Sequence, residues 1–236
     1  MKRLILFTII LSAVLCSCGN TDAHSVTLMY HEVSDDIFSP SEELFVSPAD
    51  FERQLIALNE RGIGTVFASE TPTADGTFAV LTFDDGYEGI YKNVFPLLKK
   101  YNAHATVFLI TSKFGEEHHL TEDEVREMAA SGLVEFGSHT VTHRRLTELD
   151  DEETAYELRE SARIISGLTG RPVTSLAYPN GAYDERVITA ARKLGYTVGY
   201  TIDSTHGKKD ELALSRYTVW RETGDDAFAK YIDSPF

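Results

Sequence analysis

The chain has 236 residues, of which 42% are hydrophobic and 25% are charged. This is enough apolar sequence to bury one sizeable core, and it excludes a disordered or fibrous protein. Acidic residues outnumber basic ones by 37 to 22, and the formal net charge of -15 repels phosphate backbones, so we expect no nucleic acid partner. Both cysteines, Cys16 and Cys18, lie near the amino terminus, so metal ligands in a following domain must be His, Asp or Glu.

The amino terminus has the pattern of an export signal. Lys2 and Arg3 precede an apolar stretch over 4–15. This stretch is shorter than the roughly 20 residues of a membrane-spanning helix. We therefore expect the rest of the chain to leave the cytoplasm.

The sequence Leu15-Cys16-Ser17-Cys18 resembles a bacterial lipobox, in which a lipidated cysteine becomes the mature amino terminus. We expect Cys18 to be that cysteine; the alternative is an ordinary secretory signal with incidental cysteines. The prediction is a lipoprotein signal peptide over 1–17, a linker over 18–25 and one domain over 26–236. Only the lipid anchor would then attach the exported domain to a membrane.

Beyond the linker, apolar segments of strand length alternate with segments of helical period, which is typical of βα units around a parallel sheet. The predicted strands are short and mostly apolar, as buried strands are: 26–30, 65–67, 79–83, 105–110, 134–136, 175–178, 197–202 and 214–219. The predicted helices are 48–61, 93–101, 121–131, 150–168 and 184–194. Six or more βα units in about 200 residues, without an internal repeat, favour a single α/β barrel domain.

The loops that follow the strands of such a barrel converge on one mouth, so polar residues at the ends of strands are candidates for a functional site. These candidates are His31, Asp84, Asp85, His139, Tyr178 and Asp203.

Two of the strand ends carry residues suited to metal chemistry. Asp84 and Asp85 precede Gly86, so that at this turn one carboxylate can bind a cation while the other faces its water. His139 and His143 are four residues apart, a common spacing of metal ligands. Two imidazoles and one carboxylate suit zinc with one position open for water. Each pattern alone is also compatible with an Asp-Gly turn or with surface histidines.

These motifs resemble those of a known family. Thr-Phe-Asp-Asp-Gly at 82–86 and Ser-His-Thr-Val-Thr-His at 138–143 are similar to the first two signature motifs of the polysaccharide deacetylases, the NodB-homology domains of carbohydrate esterase family 4. The segments 28–33 and 176–181 agree, and the resemblance covers about 26–219. It implies a distorted (β/α)7–8 barrel.

The resemblance also implies roles for individual residues. Asp84 would be the general base, while Asp85, His139 and His143 would hold a divalent metal, usually zinc. The backbone N–H of Asn180 would help to stabilise the oxyanion that forms on the substrate.

The sequence departs from the commoner family pattern at two places. Leu214-Ser215-Arg216 stands where many members have Leu-x-His, and Ala177 replaces an arginine that orients the base. The segments around His31 and Ala177 instead resemble the biofilm poly-N-acetylglucosamine deacetylase branch. We hypothesise that His31 is the general acid and that Arg216 replaces the missing arginine near Asp84.

The predicted function is metal-dependent removal of N-acetyl groups from an extracellular N-acetylglucosamine polysaccharide, with Tyr178, Pro179 and Asp203 as expected substrate contacts. Trp220 and Tyr183 are further aromatics that can stack on sugar rings, although such residues are as often part of the core. Alternatives within the family are deacetylation of peptidoglycan or chitin and of O-acetylated xylan. The alternative from another class is a lipoprotein that binds glycans without turnover.

Overall fold

The computed structural model describes residues 25–202 and 210–233. The strands in this part are β1 (Ser25–Tyr30), β2 (Glu32–Val33), β3 (Phe45–Val46), β4 (Gly64–Val66), β5 (Phe78–Phe83), β6 (Ala105–Leu109), β7 (Val134–Ser138), β8 (Ser175–Ala177), β9 (Val198–Tyr200) and β10 (Tyr217–Thr218). The α-helices are α1 (Pro48–Glu60), α2 (Phe95–Tyr101), α3 (Glu122–Ala130), α4 (Asp151–Thr169), α5 (Glu185–Lys193) and α6 (Asp225–Asp233).

Eight of the strands form one curled sheet in the order β10-β1-β5-β6-β7-β8-β9, with β4 also paired to β5. All the pairings in this sheet are parallel. The segment from Leu214 to Thr218 joins the two ends of the sheet, because Leu214 bridges to Tyr200 of β9 and β10 pairs with β1. The predicted single α/β domain with a distorted barrel is therefore confirmed.

The helices begin and end where local chemistry satisfies their terminal backbone groups. The Ser47 side chain accepts a hydrogen bond from Asp50 N–H at the start of α1, and Asp150 caps α4 in the same way through Glu153 N–H. Gly170 ends α4 in the left-handed conformation, with φ of 69°. These caps explain why the predicted helix boundaries lie within two residues of those observed.

The structure also contains elements that the sequence pattern did not reveal. The strands β2 and β3 form a separate two-stranded parallel sheet, and α6 follows the last strand. A π-helical turn over Ile90–Val94 precedes α2, so the helix predicted to start at residue 93 begins at Phe95. The predicted closing strand 214–219 is shorter, with only Tyr217–Thr218 in strand pairing.

Side-chain alternation along β5 separates two regions of the core. Ala79, Leu81 and Phe83 pack in the large cluster between the sheet and the helices, whereas Phe78 and Val80 belong to a smaller cluster inside the barrel. No helix in the described part of the chain is both long and apolar enough to cross a bilayer.

Gly199 in β9 tests how tightly the segment before β10 packs against the sheet. A Cβ at this position would lie 2.7 Å from the Leu212 backbone oxygen, whereas one at Gly167 of α4 has no atom within 4 Å. We expect Gly199→Ala to lower the free energy of unfolding by about 1–3 kcal/mol. The control Gly167→Ala should leave it equal or raise it by up to ~1 kcal/mol. Urea unfolding of both variants measures the difference, and equal effects would contradict the close approach.

Candidate active site

A cavity of about 360 Å³ lies at the carboxyl ends of the strands, where the barrel mouth was predicted. Predicted site residues that line it are His31, Asp84, Asp85, His139, His143, Tyr178 and Asn180. The structure therefore brings together residues that follow β1, β5, β7 and β8.

Asp85, His139 and His143 form a compact group at the cavity wall. One ligand atom from each residue lies within 4.8 Å of the others. Asp85 Oδ1 is 3.5 Å from His139 Nε2 and 3.6 Å from His143 Nε2. Asp85 and His143 both have left-handed backbone conformations, with φ of 70° and 61°, which are costly for residues other than glycine. The backbone thus directs these side chains to one point.

The hydrogen bonding of His139 shows that this group fits a cation. His139 Nδ1 lies 2.8 Å from the Ala177 backbone oxygen. Because a carbonyl only accepts, Nδ1 carries the hydrogen, and Nε2 presents its lone pair to the Asp85 carboxylate. Two acceptors that face each other are stabilised by a positive charge between them. Two imidazoles and a carboxylate suit a divalent metal such as zinc.

The turn that carries both histidines is held by a buried carboxylate of α4. Glu157 Oε2 accepts the backbone N–H groups of Val141 at 2.8 Å and Thr142 at 2.9 Å, and the Thr142 hydroxyl donates to Glu157 Oε1 at 2.5 Å. His143 N–H donates to Thr140 Oγ1 at 3.0 Å. The two imidazoles are therefore positioned by the protein itself.

Asp84 forms a bidentate ion pair with Arg216. Arg216 Nη1 and Nη2 each donate to one oxygen of Asp84 at 2.8 Å, and both side chains are buried. Burial alone would raise the pKa of Asp84, but the Arg216 guanidinium holds it well below its ordinary value. Asp84 is therefore an ionised carboxylate at neutral pH.

Arg216 is itself fixed on all sides. Its Nε donates to the Thr201 backbone oxygen and its Nη1 to the Thr82 hydroxyl, both at 3.1 Å. The rings of Phe108 and Tyr200 lie 5.8 Å and 5.9 Å from the guanidinium carbon. The arginine beside Asp84 therefore comes from the segment that joins the two ends of the sheet. Position 177, where the commoner family pattern has an arginine, is an alanine.

His31 follows β1 and lines the cavity close to both carboxylates. Its Nδ1 is buried and has no hydrogen-bond partner within residues 25–202 and 210–233. Burial lowers the pKa of His31, while Asp84 and Asp85 act in the opposite direction. The His31 ring thus forms part of the cavity wall, with its Nδ1 shielded from solvent.

The turn after β8 places Asn180 at the cavity edge in a left-handed conformation, with φ of 54°. The N–H groups of Gly181 and Ala182 donate to Tyr178 and Pro179 carbonyls, which uses these two donors within the turn. The Tyr178 side chain is fully buried, and its hydroxyl donates to the Leu212 backbone oxygen at 2.7 Å.

Substrate contact therefore stays a prediction for Tyr178 and for Pro179, which is buried in the same turn. The remaining predicted residues, Asp203 and Cys18, lie outside the described residues, as do the proposed signal peptide and nearly all of the linker.

Several cavity residues were not identified from the sequence. Tyr87 lines the cavity, and burial together with the Asp85 carboxylate raises the pKa of its hydroxyl. Glu32 is also buried in this wall, and desolvation raises its pKa to about 7. Ser39, Ser41 and Leu44, in the segment before β3, also line the cavity. For Tyr87, the available signal was its position directly after the Asp-Asp-Gly motif.

Comparison with known proteins identifies the family. Residues 71–199 match the sequence profile described as polysaccharide deacetylase. YxkH of Bacillus subtilis (strain 168), a protein named for the same family, is 33% identical over 216 residues, which are 88% of this chain and 75% of that protein. The chain therefore belongs to the polysaccharide deacetylase family, and the resemblance seen in its motifs is confirmed.

The chain is also similar in sequence to a deacetylase named for its substrate and in structure to a crystallised family member. The Staphylococcus aureus (strain MSSA476) poly-beta-1,6-N-acetyl-D-glucosamine N-deacetylase is 30% identical over 167 residues, which cover 64% of this chain and 56% of that enzyme. The crystal structure of BC0361, a polysaccharide deacetylase from Bacillus cereus, superposes with a TM-score of 0.81 at 28% identity and covers 89% of this chain and 69% of that one. Homologues and structural neighbours thus support deacetylase activity.

Replacing Arg216 tests the buried ion pair. Arg216→Met leaves Asp84 buried without a partner, so we expect the free energy of unfolding at pH 7 to fall by about 3–5 kcal/mol. Arg163→Met is the matched control, because it removes an exposed pair with Glu160 on α4, and it should change stability by no more than about 0.5 kcal/mol.

The same pair predicts a pH dependence of stability. The folded-state pKa of Asp84 is lowered, so the contribution of the pair is complete above the ordinary carboxyl pKa of about 4 and is lost as the pH falls towards the folded-state value. The difference between wild type and Arg216→Met in urea unfolding should therefore shrink as the pH falls, first because burial raises the pKa of the unpaired Asp84 in the variant, and below about pH 4 because the wild-type pair also loses its contribution. A small difference at pH 7, or one that stays constant into acid, would contradict this electrostatic account.

Proposed function

We propose that this protein is a metal-dependent hydrolase that removes N-acetyl groups from an extracellular N-acetylglucosamine polysaccharide and releases acetate. The observation that carries the proposal is the pairing of Asp84 with Arg216 directly beside the Asp85, His139 and His143 group. An ionised carboxylate next to a cation site is the arrangement that hydrolysis of an acyl group needs. A protein that only binds glycans has no use for a second carboxylate held in this way.

The residues of the site have separate tasks in this reaction. A divalent metal held by Asp85, His139 and His143 would acidify a water molecule and polarise the acetamide carbonyl. Asp84 accepts a proton from the attacking water, and Arg216 keeps the carboxylate ionised and oriented. The Asn180 N–H donates to the carbonyl oxygen as it becomes negative.

His31 completes the reaction by giving a proton to the sugar nitrogen, which leaves as an amine when the C–N bond breaks. The place of His31 in the cavity wall, together with Asp84 and Asp85, supports this role. Burial lowers the pKa of His31, and the negative charges of Asp84 and Asp85 oppose this effect only in part. Water and the N-acetyl sugar are thereby converted to acetate and the free amino sugar.

The choice of glycan and location rests on similarity and on sequence pattern. The staphylococcal relative is named for poly-beta-1,6-N-acetyl-D-glucosamine, which supports an N-acetylglucosamine polymer as the substrate class. The charged and apolar residues before Cys18 support export and lipid attachment at this cysteine. Tyr178, Pro179 and Asp203 are retained in this proposal as the expected substrate contacts.

The proposal is tested by measuring acetate release from β-1,6- and β-1,4-linked N-acetylglucosamine oligomers and from acetylated xylan after zinc is added. We expect release from the N-acetylglucosamine oligomers. Asp84→Asn should lower turnover by about 10²–10⁴-fold and keep its bound zinc, whereas His139→Ala should lose both. Full activity of Asp84→Asn, or release from xylan alone, would refute the proposal.

A second measurement separates the acid from the base. His31→Ala should slow hydrolysis of the amide by at least about tenfold more than hydrolysis of an activated acetate ester, because the ester's leaving group needs no proton. His104→Ala is the matched control, since this histidine lies at the start of β6 and bonds to Thr65, away from the mouth. Equal losses on both substrates would exclude His31 as the acid.

A further inference from the structure

A second groove, of about 680 Å³, lies beside the active-site cavity. We call it the Trp220 groove; it is lined by Glu42, Glu43, Trp220, Arg221, Glu222, Thr223, Ala227 and Tyr231. The short 3-10 turn Glu42–Leu44 separates the two spaces, because Leu44 faces the active-site cavity while Glu42 and Glu43 face the groove. A chain that leaves the active site over this turn enters the groove.

The register of the sheet places Trp220 at the barrel mouth. In the parallel pairing of β1 with β10, Met29 lies opposite Thr218, and Val219 N–H donates to the Met29 oxygen at 2.8 Å. Continuing this register puts Trp220 at the level of His31, on the neighbouring strand. The backbone of Trp220 therefore lies at the same end of the barrel as the active-site cavity, and its side chain lines the groove.

The indole is presented on a fixed turn. Trp220 is 43% exposed although it is a large aromatic residue. The Trp220 backbone N–H donates to Thr223 Oγ1 at 2.8 Å, and the Arg221 backbone N–H donates to the Glu43 backbone oxygen at 2.7 Å, so the backbone of this turn is bonded to the opposite wall of the groove. An exposed indole on such a turn offers a flat apolar face for the C–H side of a sugar ring.

The charges of the groove select among sugars. Glu42, Glu43 and Glu222 are exposed at its edges, and the Arg221 guanidinium is directed to the Phe45 backbone oxygen at 3.4 Å. N-acetylglucosamine is neutral, whereas glucosamine carries an ammonium group at neutral pH. Carboxylates around an aromatic face match a cationic sugar, since the ring stacks while the ammonium lies near the acids.

We propose that the Trp220 groove is a binding site for glucosamine residues, the de-N-acetylated units of a glycan whose neighbouring N-acetylglucosamine occupies the active site. The inference rests on the proposed function for the identity of the chain, but binding of the amino sugar is a property of the groove alone. With such a site the enzyme binds its own product. It therefore prefers partly deacetylated chains over fully acetylated ones as substrates.

Trp220 is the single tryptophan of the chain, so intrinsic fluorescence reports on the groove directly. The experiment titrates the full-length protein at pH 6 and low salt with glucosamine oligomers and, separately, with N-acetylglucosamine oligomers of equal length and linkage. We expect a saturable change in emission, with at least about threefold tighter binding of the glucosamine oligomers that disappears at high salt. No change in emission, equal affinity for both sugars, or a response to calcium chloride alone would overturn the proposal.

Substitutions separate the contribution of the indole from that of the carboxylates. Trp220→Ala should weaken binding of glucosamine oligomers by roughly five- to tenfold in calorimetry, while Tyr156→Ala, which removes another exposed aromatic, should not. Replacing Glu42, Glu43 and Glu222 by Gln should abolish the preference for glucosamine and leave the weaker stacking. Retention of the preference in this triple variant would contradict the role of the carboxylates.

A matched charge control and the acetate assay complete the test. Glu60→Gln, Asp75→Asn and Glu152→Gln remove three exposed acids elsewhere and should leave the preference intact. If fluorescence shows selective binding but no glycan releases acetate, the groove is correct and the proposed reaction is wrong. If acetate is released but glucosamine oligomers bind no better than acetylated ones, only the inference about the groove fails.

Discussion

The buried ion pair between Arg216 and Asp84 connects the architecture of this protein with its chemistry. Arg216 lies in the segment that joins the two ends of the sheet, and its side chain reaches Thr82 on β5 and Asp84 directly after this strand. Its Nε is bonded at the same time to Thr201 after β9. One guanidinium therefore fixes the closing segment, compensates a buried carboxylate and orients it. A buried charge pair of this kind seldom adds stability over apolar packing, so its value lies in specifying one geometry.

The rest of the site is built so that few side chains need to move when a ligand arrives. Asp85, Thr140, His143 and Asn180 all have positive φ values although none is a glycine. Such conformations cost free energy, and they persist because surrounding hydrogen bonds, including those from Glu157, determine the loops. The free energy that these loop conformations cost is offset by the packing of the barrel, in which β5 and β6 are buried on both faces.

Much of this arrangement could be predicted from the sequence, because strands of five or six apolar residues and helices with clear caps leave strong local patterns. The eight sheet strands and the residues grouped at the mouth follow from such patterns and from the family motifs. The two-residue strands β2 and β3 were not predicted, whereas the equally short β10 was predicted only as part of the longer stretch 214–219. The roles of Glu157 and of the Ala177 carbonyl depend on contacts between distant segments; the only local sign of Glu157 is a carboxylate on a face that also buries Leu158 and Ile165. The role of Arg216 could be predicted only in part. Its position in the sequence suggested that it lies near Asp84, but its bidentate contact is visible only in the closed barrel.

The late position of Arg216 in the chain also bears on how the protein matures. A ribosome synthesises Asp84, Asp85, His139 and His143 well before Arg216, so the nascent chain contains all three side chains of the cation site while Asp84 still lacks its counterion. Burying an unpaired carboxylate costs free energy, so closure of the barrel around Asp84 is unfavourable at that stage. Docking of the segment that carries Arg216 then completes the sheet and supplies the counterion of Asp84 in one event, so that closure of the barrel and ionisation of this carboxylate occur together.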